Sequence, residues 1–287
     1  MSTSYSAFPD TSDKPVIMAG PCMAESEEIV HEVAEFLAEM QKAQKFHWVF
    51  KASFDKANRS SIHSDRGPGW QKASEWFLSV KEKHACQVIT DIHETSQVSA
   101  VAEVCDVLQI PAFLCRQTDL LAAAVETGRI VNVKKGQFLA PDDTKHIVTK
   151  AAEVAKEKNN PLRLALTERG TSFGYGNLVV DMRSFPIMKQ TGASVIFDVT
   201  HSLQLPGAAG QVTGGLREFA PTLARAATAT GALDGYFIEV HPNPAKAKSD
   251  GTTQLSFPQA KQLLTQLTSL WQHCRSAREN DKIFTSS

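Results

Sequence analysis

The feature that most constrains the fold of this chain is a repeated alternation of two sequence patterns. Eight short runs of apolar and β-branched residues are each followed by a segment whose apolar positions have helical spacing. The runs are almost continuously apolar, which is typical of parallel strands buried on both faces. Eight such units close most economically into a barrel, so we predict an α/β fold, a single-domain (β/α)8 TIM barrel. The predicted strands are 16–19, 47–51, 87–91, 107–110, 130–134, 162–167, 195–199 and 235–240, and the predicted helices are 27–40, 68–83, 96–104, 118–127, 141–158, 182–191, 218–230 and 258–274.

The chain length agrees with one barrel. Its 287 residues are about what one (β/α)8 domain needs. An open, doubly wound sheet is the alternative, but no GxGxxG motif follows the first run, so its dinucleotide-binding form has no support. We expect residues 1–14 to form a tail or a barrel plug, residues 15–280 to form the catalytic barrel, and residues 281–287 to form a second tail.

Charge and cysteine content exclude several classes of protein. The chain has 30 Lys and Arg against 31 Asp and Glu, so it lacks the basic excess of a nucleic-acid or membrane-surface protein. Its five cysteines are scattered and odd in number, which argues against a disulfide framework and favours a cytoplasmic location. No apolar run reaches membrane-spanning length. We therefore expect small-molecule substrates, with no nucleic acid and no membrane as partners.

Ionisable residues follow most of the predicted strands. The active sites of such barrels lie at the carboxyl ends of the strands, so these side chains are expected to share one face. Three of the intervening loops are long, which is typical of functional loops: 52–67, 168–181 and 200–217. The residues at or just after strand ends are Cys22, Lys51, Asp91, His93, Lys134, Lys135, Glu168, Arg169, His201, Glu239 and His241.

The segment from Lys51 to Arg66 indicates phosphate binding. It carries four cations, several hydroxyl groups and the Asn58 amide within sixteen residues. Lys, Arg and Ser side chains are well suited to phosphate oxygens. Lys134 and Arg169, which follow other strands, would suit a second anionic group. Two anion sites on one face predict two phosphorylated substrates, although a solvated basic loop remains the alternative.

A mixed set of sulfur, nitrogen and oxygen donors suggests a metal site. The set is weak as a local motif because no ligand spacing repeats, but the barrel would bring its members to one face. A thiolate, an imidazole and two carboxylates suit iron(II), zinc, manganese or cobalt, and leave a position for water. The predicted metal ligands are Cys22, His201, Glu239 and Asp250.

From about residue 15 to residue 264, the chain resembles the 3-deoxy-D-manno-octulosonate 8-phosphate synthases. These enzymes join phosphoenolpyruvate to D-arabinose 5-phosphate in the synthesis of a lipopolysaccharide sugar. The segment Lys56-Ala-Asn-Arg-Ser60 separates them from the sister enzymes that make a heptulosonate 7-phosphate. The other motifs that carry the resemblance are Ala19-Gly-Pro-Cys22, Ile89-Thr-Asp-Ile-His-Glu94, Ile110-Pro-Ala-Phe113, Arg116-Gln-Thr-Asp119, Glu168-Arg-Gly170, Phe197-Asp-Val-Thr-His201 and Glu239-Val-His-Pro242.

The resemblance implies roles for individual residues. The enolpyruvate would be held by cations and by the Ala112 backbone, and the pentose phosphate by Asn58, Arg59 and Ser60, with Asp91 near its hydroxyl groups. Cys22 implies the metal-dependent class, and the family implies a homotetramer. The residues assigned to the enolpyruvate are Lys51, Lys56, Lys134 and Arg169, Gln137 is a further substrate-binding residue, and those assigned to catalysis are Lys51, Lys56, Asp91, His201 and Cys22.

Two positions depart from the family pattern, and two other functions remain open. Asp65 stands where Tyr is usual and Gly136 where Pro is usual, which bears on substrate positioning more than on the reaction. One alternative is a related synthase that accepts erythrose 4-phosphate or a mannosamine. The other is a non-catalytic phosphosugar-binding barrel.

Overall fold

A computed structural model describes residues 4–8, 11, 13–58, 61–173, 176–209 and 212–279. Within these ranges, eight parallel strands form a closed barrel, which confirms the predicted (β/α)8 fold. In the order in which they neighbour one another around the barrel, the strands are β1 (Val16–Gly20), β12 (Gly235–Glu239), β9 (Ser194–Asp198), β6 (Leu164–Glu168), β5 (Ile130–Lys134), β4 (Val107–Ile110), β3 (Gln87–Asp91) and β2 (His47–Lys51).

Eight helices surround the barrel in the described part of the chain. The Ser26 hydroxyl caps the first helix by accepting a hydrogen bond of 3.2 Å from the Ile29 N–H. The predicted helix at 141–158 instead begins with a 3-10 turn at Pro141–Asp143. The helices are α1 (Glu27–Ala43), α2 (Trp70–His84), α3 (Thr95–Val104), α4 (Thr118–Glu126), α5 (Thr144–Glu157), α6 (Ser184–Lys189), α7 (Ala220–Ala229) and α8 (Phe257–Glu279).

Two of the three long loops contain β-hairpins that the sequence did not predict. The first hairpin pairs β7 (Thr171–Phe173) with β8 (Asn177–Val179), and the second pairs β10 (Gln204–Ala209) with β11 (Val212–Gly215). Their strands are only three to six residues long and lack the apolar alternation of a buried sheet. Both hairpins lie directly after barrel strands, on the carboxyl side of the barrel.

The apolar core has two layers. The larger layer lies between the sheet and the helices, and the smaller fills the barrel interior. Each barrel strand contributes to the interior layer, and Ala7 and Phe8 from the N-terminal segment complete it. This segment is anchored by the Tyr5 carbonyl, which accepts a hydrogen bond of 2.9 Å from the Leu164 N–H. Ala7 and Phe8 therefore close the end of the barrel opposite the strand ends that carry the ionisable residues.

A buried carboxylate fixes this closed end. Asp234 accepts hydrogen bonds from the Thr11 hydroxyl at 2.9 Å and the Val195 N–H at 2.8 Å, and it forms an ion pair with Lys189. Trp271 of α8 donates to the Thr11 carbonyl at 3.0 Å. Asp234 thereby joins the N-terminal segment, β9 and α6 at the end of the barrel opposite the strand ends that carry the ionisable residues. No helix in the described ranges is long and apolar enough to cross a membrane.

We expect Asp234→Ala to lower the free energy of unfolding by about 3 kcal/mol, because it leaves the partly buried Lys189 ammonium group and the buried donors of Thr11 and Val195 without their acceptor. Urea denaturation would measure this. The matched control is Glu126→Ala, which removes an exposed ion pair with Lys158 and should cost about 0.5 kcal/mol or less. Equal losses in the two variants would contradict the structural role assigned to Asp234.

Candidate active site

The carboxyl ends of the barrel strands bring a set of buried charged side chains to one mouth. Parallel strands in a barrel all end on the same face, so residues far apart in sequence meet there. The residues at these ends are Lys51 of β2, Asp91 of β3, Lys134 of β5, Glu168 of β6, Asp198 of β9 and Glu239 of β12, and all of them are buried.

Asp91 lies beside two lysines and a serine. Lys51 Nζ is 3.2 Å from Asp91 Oδ2, and the Ser53 hydroxyl donates to the same carboxylate. Lys51 Nζ and Lys56 Nζ both donate to the Ser53 hydroxyl, at 2.9 and 3.1 Å. Burial alone would raise the pKa of Asp91, but Lys51 and Lys56 outweigh it and hold this pKa well below its usual range. Asp91 is therefore a carboxylate at neutral pH.

A chain of side-chain hydrogen bonds inside the barrel, here called the polar ladder, holds the Asp91 carboxylate. Gln109 donates to Asp91 Oδ1 at 2.5 Å, Asn132 donates to Gln109 at 2.9 Å, and Thr167 donates to Asn132 at 2.7 Å. These three residues lie on β4, β5 and β6 and are buried. Each of these buried contacts satisfies a polar group. The ladder fixes the Asp91 carboxylate relative to three neighbouring strands.

Lys134 forms a second buried cationic centre. Its ammonium group forms an ion pair with Asp198 and lies 3.2 Å from the centroid of the Phe237 ring. Burial lowers the pKa of Lys134 to about 8, although the Asp198 carboxylate opposes this shift. Burial would also raise the pKa of Asp198, but His201 and Lys134 hold it well below its usual range. At neutral pH the pair is therefore ionised.

Arg169 and Gln137 have unused hydrogen-bonding capacity. One terminal nitrogen of Arg169 donates to Gln204 at 2.6 Å, while the other is buried and has no partner among the described residues. The Gln137 Oε1 atom is likewise buried without a partner in the described part of the chain. Unsatisfied buried polar atoms are costly, and a bound polar ligand would satisfy them. Ala112, the other predicted contact, begins the short 3-10 helix Ala112–Leu114 after β4.

Contacts between residues 55–56 and Arg66 join the two ends of the loop after β2. Arg66 donates to both oxygens of Asp55, at 2.8 and 2.5 Å, and the Lys56 N–H donates to the Arg66 carbonyl at 2.8 Å. Asn58 lies in an exposed turn between these two ends. Arg59 and Ser60, the other residues predicted to bind the pentose phosphate, lie outside the described residues.

The four predicted metal ligands meet at the mouth. One donor atom from each of Cys22, Glu239 and Asp250 lies within 4.8 Å of the other two. Cys22 Sγ is 3.4 Å from Asp250 Oδ2. His201 Nε2 lies 3.6 Å from Glu239 Oε1 and 3.7 Å from Asp250 Oδ2. The side chains of these four residues therefore surround one small volume.

Three observations fit a divalent cation in this volume. Both carboxylate oxygens of Glu239 are buried and have no hydrogen-bond partner among the described residues. His201 Nδ1 is 2.9 Å from Asp198 Oδ2, which leaves Nε2 directed at the other ligands. Burial, and then Glu239, raise the pKa of Cys22 well above its usual value, so only a nearby cation would favour the thiolate. The donor set thus suits a metal better than it suits an empty cluster.

Several residues of the site were missed by sequence reasoning. Asp198 lies inside the segment Phe197-Asp-Val-Thr-His201, whose motif offered the only signal for it. Gln254 accepts from the Cys22 N–H at 3.1 Å and donates to the Ser249 carbonyl at 2.8 Å, so it joins the two loops that carry Cys22 and Asp250. Ser53 connects Lys51, Lys56 and Asp91. Ser53 lies within the predicted phosphate-binding segment Lys51 to Arg66, but nothing distinguished it from the other hydroxyl residues there, and nothing distinguished Gln254 from an ordinary loop residue.

The Gly136 departure has a local structural consequence. A Cβ atom at residue 136 would lie 2.8 Å from the Phe138 ring and 3.1 Å from Cys115 Sγ. Gly136 therefore allows the Phe138 ring to lie directly against the backbone after β5. The preceding residue, Lys135, is fully buried, and its ammonium group lies 3.5 Å from the Glu168 carboxylate.

Fold and site together define a (β/α)8 barrel enzyme with a buried cationic pocket beside a candidate metal cluster at its mouth. Comparison with known proteins is more specific. Residues 9–275 match the model of the DAHP synthetase I family, and the chain belongs to this family.

Curated relatives named 2-dehydro-3-deoxyphosphooctonate aldolase are similar over most of the chain. The protein of Fusobacterium nucleatum subsp. nucleatum is 53% identical over 249 residues, which cover 87% of each chain. That of Francisella tularensis subsp. holarctica is 51% identical over 254 residues, 88% of this chain and 90% of the relative. That of Nitratidesulfovibrio vulgaris is 51% identical over 255 residues, 89% of this chain and 91% of the relative.

We expect Cys22→Ala to abolish stoichiometric binding of a divalent metal, because it removes the only sulfur donor in the cluster. Metal content after dialysis, measured by atomic emission, would test this. The control is Cys105→Ala, which removes an equally buried thiol at the end of α3, outside the cluster. Retention of one tightly bound metal per chain in Cys22→Ala would contradict the assignment of Cys22 as a ligand.

Proposed function

We propose that this protein condenses phosphoenolpyruvate with D-arabinose 5-phosphate and water to give 3-deoxy-D-manno-octulosonate 8-phosphate and inorganic phosphate. This is a transferase reaction of lipopolysaccharide sugar biosynthesis. The single observation that carries the proposal is the identity of 51–53% to relatives named as the phosphooctonate enzyme over nearly their whole length. The cationic pocket at the barrel mouth has the chemistry that two phosphorylated substrates require.

The two alternatives are less well supported. The family includes enzymes named for the heptulosonate product, but the relatives described above are named for the octonate. A non-catalytic barrel does not account for buried ionised side chains that lie next to one another at the mouth, since such arrangements are typical of active sites.

In the proposed mechanism, carbon 3 of the enolpyruvate attacks the aldehyde carbon of the pentose, and the aldehyde oxygen takes up a proton. Water adds at carbon 2 of the enolpyruvate and loses a proton. Phosphate then leaves by cleavage of the C–O bond at carbon 2. Negative charge develops on the phosphate and carboxylate groups during these steps. Fixed cations beside these groups stabilise the transition state and so lower the activation barrier. Binding both substrates in one pocket removes much of the entropic cost of their encounter.

We assign the enolpyruvate to the buried cations Lys51, Lys56, Lys134 and Arg169, with Gln137 and the Ala112 backbone as further contacts. Support comes from the unpartnered Arg169 nitrogen and Gln137 oxygen. Buried polar atoms need hydrogen-bond partners, and a bound substrate would supply them. The pentose phosphate would lie against the loop after β2, with Asn58, Arg59 and Ser60. Asp91, ionised and fixed by its ladder, would accept hydrogen bonds from pentose hydroxyl groups.

We further propose that Cys22, His201, Glu239 and Asp250 hold one divalent cation. Iron(II), zinc, manganese and cobalt all suit this mixed donor set. When bound, such a cation acts as a Lewis acid and lowers the pKa of a neighbouring water molecule. We favour a role in positioning that water. The His201–Asp198 contact fixes the imidazole for this purpose.

We also propose that the protein acts as a homotetramer in the cytoplasm. Two aromatic side chains near the mouth, Phe113 and Phe138, are each 58% exposed, and a subunit contact would bury such surface. All five cysteines are unpaired, which suits a reducing compartment. Sedimentation at micromolar concentration would establish the oligomeric state.

The central test is phosphate release from phosphoenolpyruvate. We expect no release without a sugar phosphate and rapid release with D-arabinose 5-phosphate. Release should be at least about tenfold slower with erythrose 4-phosphate, because a site built to hydrogen-bond the hydroxyl groups of one sugar discriminates against a sugar that places them differently. Exhaustive chelation should remove the activity, and added manganese or cobalt should restore it. Equal rates with both sugars would favour the heptulosonate alternative, and full activity after chelation would exclude the metal role.

The pKa of Lys134 predicts a pH dependence. Below about pH 8 the ammonium group is charged and attracts the phosphoenolpyruvate anion, and above that pH the charge is lost. We therefore expect kcat/KM for phosphoenolpyruvate to fall as pH rises through about 8. The arginine of Lys134→Arg keeps its charge throughout this range. We expect this variant to be less active, but its kcat/KM should lack the alkaline limb, that is, the fall as pH rises through about 8. An unchanged alkaline limb in Lys134→Arg would assign the limb to another group.

A further inference from the structure

The segment 248–251 carries the metal ligand Asp250 and is held by contacts from several other loops. Asp250 has a φ of +47°, which is in the left-handed region where non-glycine residues are strained. Gly251 lies so close to the Pro244 carbonyl that a Cβ atom at residue 251 would be 2.4 Å from its oxygen. Arg217 donates to the Gly251 carbonyl. The direction of the Asp250 side chain thus depends on how the segment is held.

The first residue of this segment is tied to the loop that carries Cys22. The Lys248 N–H donates to Glu25 Oε1 at 2.8 Å, and Glu25 Oε2 lies 3.8 Å from His241 Nε2. The Glu25 and His241 side chains are buried, so this tie is fixed. Glu25 lies three residues after Cys22, and His241 lies two residues after Glu239. The backbone of segment 248–251 is therefore anchored to the same two loops that supply two other metal ligands.

The side chain of Lys248 makes a different contact. Its Nζ lies 2.9 Å from Asp65 Oδ2, in the loop that follows β2. Asp65 Oδ1 accepts from the Gly67 N–H at 2.9 Å, which fixes the carboxylate at the end of that loop. Gly67 has a φ of +110°, and a Cβ atom there would be 2.6 Å from the Phe54 carbonyl oxygen, so this turn requires glycine. Both partners of the Lys248–Asp65 pair are about half exposed, so the pair can open.

We propose that the Lys248–Asp65 pair couples binding of the sugar phosphate to binding of the metal. The inference rests on the proposed function, in which the loop after β2 holds the pentose phosphate. A sugar phosphate bound against that loop favours the loop position in which Asp65 pairs with Lys248, and Lys248 lies two residues before the ligand Asp250. The sugar phosphate then tightens metal binding, and by thermodynamic reciprocity the metal tightens sugar binding to the same degree. Lys248 and Asp65 are positioning residues in this scheme and touch neither ligand.

The experiment measures cobalt(II) affinity by the thiolate-to-cobalt absorption of Cys22, with and without D-arabinose 5-phosphate and without phosphoenolpyruvate. We expect the sugar phosphate to tighten cobalt binding in the unmodified protein. In Lys248→Met and in Asp65→Asn this tightening should shrink by about two- to fivefold, the range that an exposed ion pair supports. The double variant should lose no more than either single variant, because both remove the same contact.

Two further variants serve as controls. Lys246→Met removes an exposed lysine two residues before Lys248 and should leave the tightening unchanged. Lys248→Arg keeps the ion pair and should retain most of it. If the sugar phosphate tightens cobalt binding equally in Lys248→Met and in the unmodified protein, or not at all in a protein that turns over, the coupling role is wrong. Phosphate release is followed in parallel: absence of both turnover and tightening in the unmodified protein would instead refute the proposed function.

Discussion

Asp198 is the residue on which both halves of the site depend. Its carboxylate is fully buried, so it must be compensated by positive charge or by hydrogen-bond donors. It receives both, since Lys134 pairs with it from β5 and His201 contacts it through Nδ1. One carboxylate thus fixes a cation of the proposed anion-binding pocket and also the orientation of a proposed metal ligand. Removing it would leave Lys134 as an unpaired buried charge and His201 free to rotate, which is why the two sites are structurally inseparable.

The alternation of strands and helices could be predicted from the sequence because it depends on local patterns. Each strand needed only a short apolar run, and each helix a periodic face, as in α1 with its Ser26 cap. The boundaries were mostly within one or two residues, and the larger differences lie at helix ends: α1 and α8 extend three and five residues beyond their predicted ends, and α5 begins three residues later than predicted. The two hairpins were missed because their strands are only three to six residues long and lack the apolar alternation from which a strand is predicted.

The site was predictable in part for a related reason. Barrel topology alone places every strand end on one face, so Cys22, His201 and Glu239 could be brought together without knowledge of their contacts. The contacts themselves could not be predicted. Gln254 connects the loops of Cys22 and Asp250 through its side-chain amide, and its position depends on the path of a loop more than 230 residues after Cys22. Such partners have no periodicity, and only three-dimensional structure identifies them.

Charge balance is the strongest physical argument that the proposed metal and substrates share one site. Among the described residues at the mouth, the five cations Lys51, Lys56, Lys134, Lys135 and Arg169 face five carboxylates: Asp91, Glu168, Asp198, Glu239 and Asp250. Burial would lower the pKa of Lys56, but Cys22, Glu239, Asp91 and Asp250 outweigh it and raise this pKa above its usual value, so Lys56 acts as a counter-ion to these acidic groups. In the proposed function, a divalent cation held by the cluster would take over this role and leave Lys56 available to a substrate anion. Because a dry pocket tolerates little net charge, such a cation would also supply part of the positive charge that two phosphorylated substrates require.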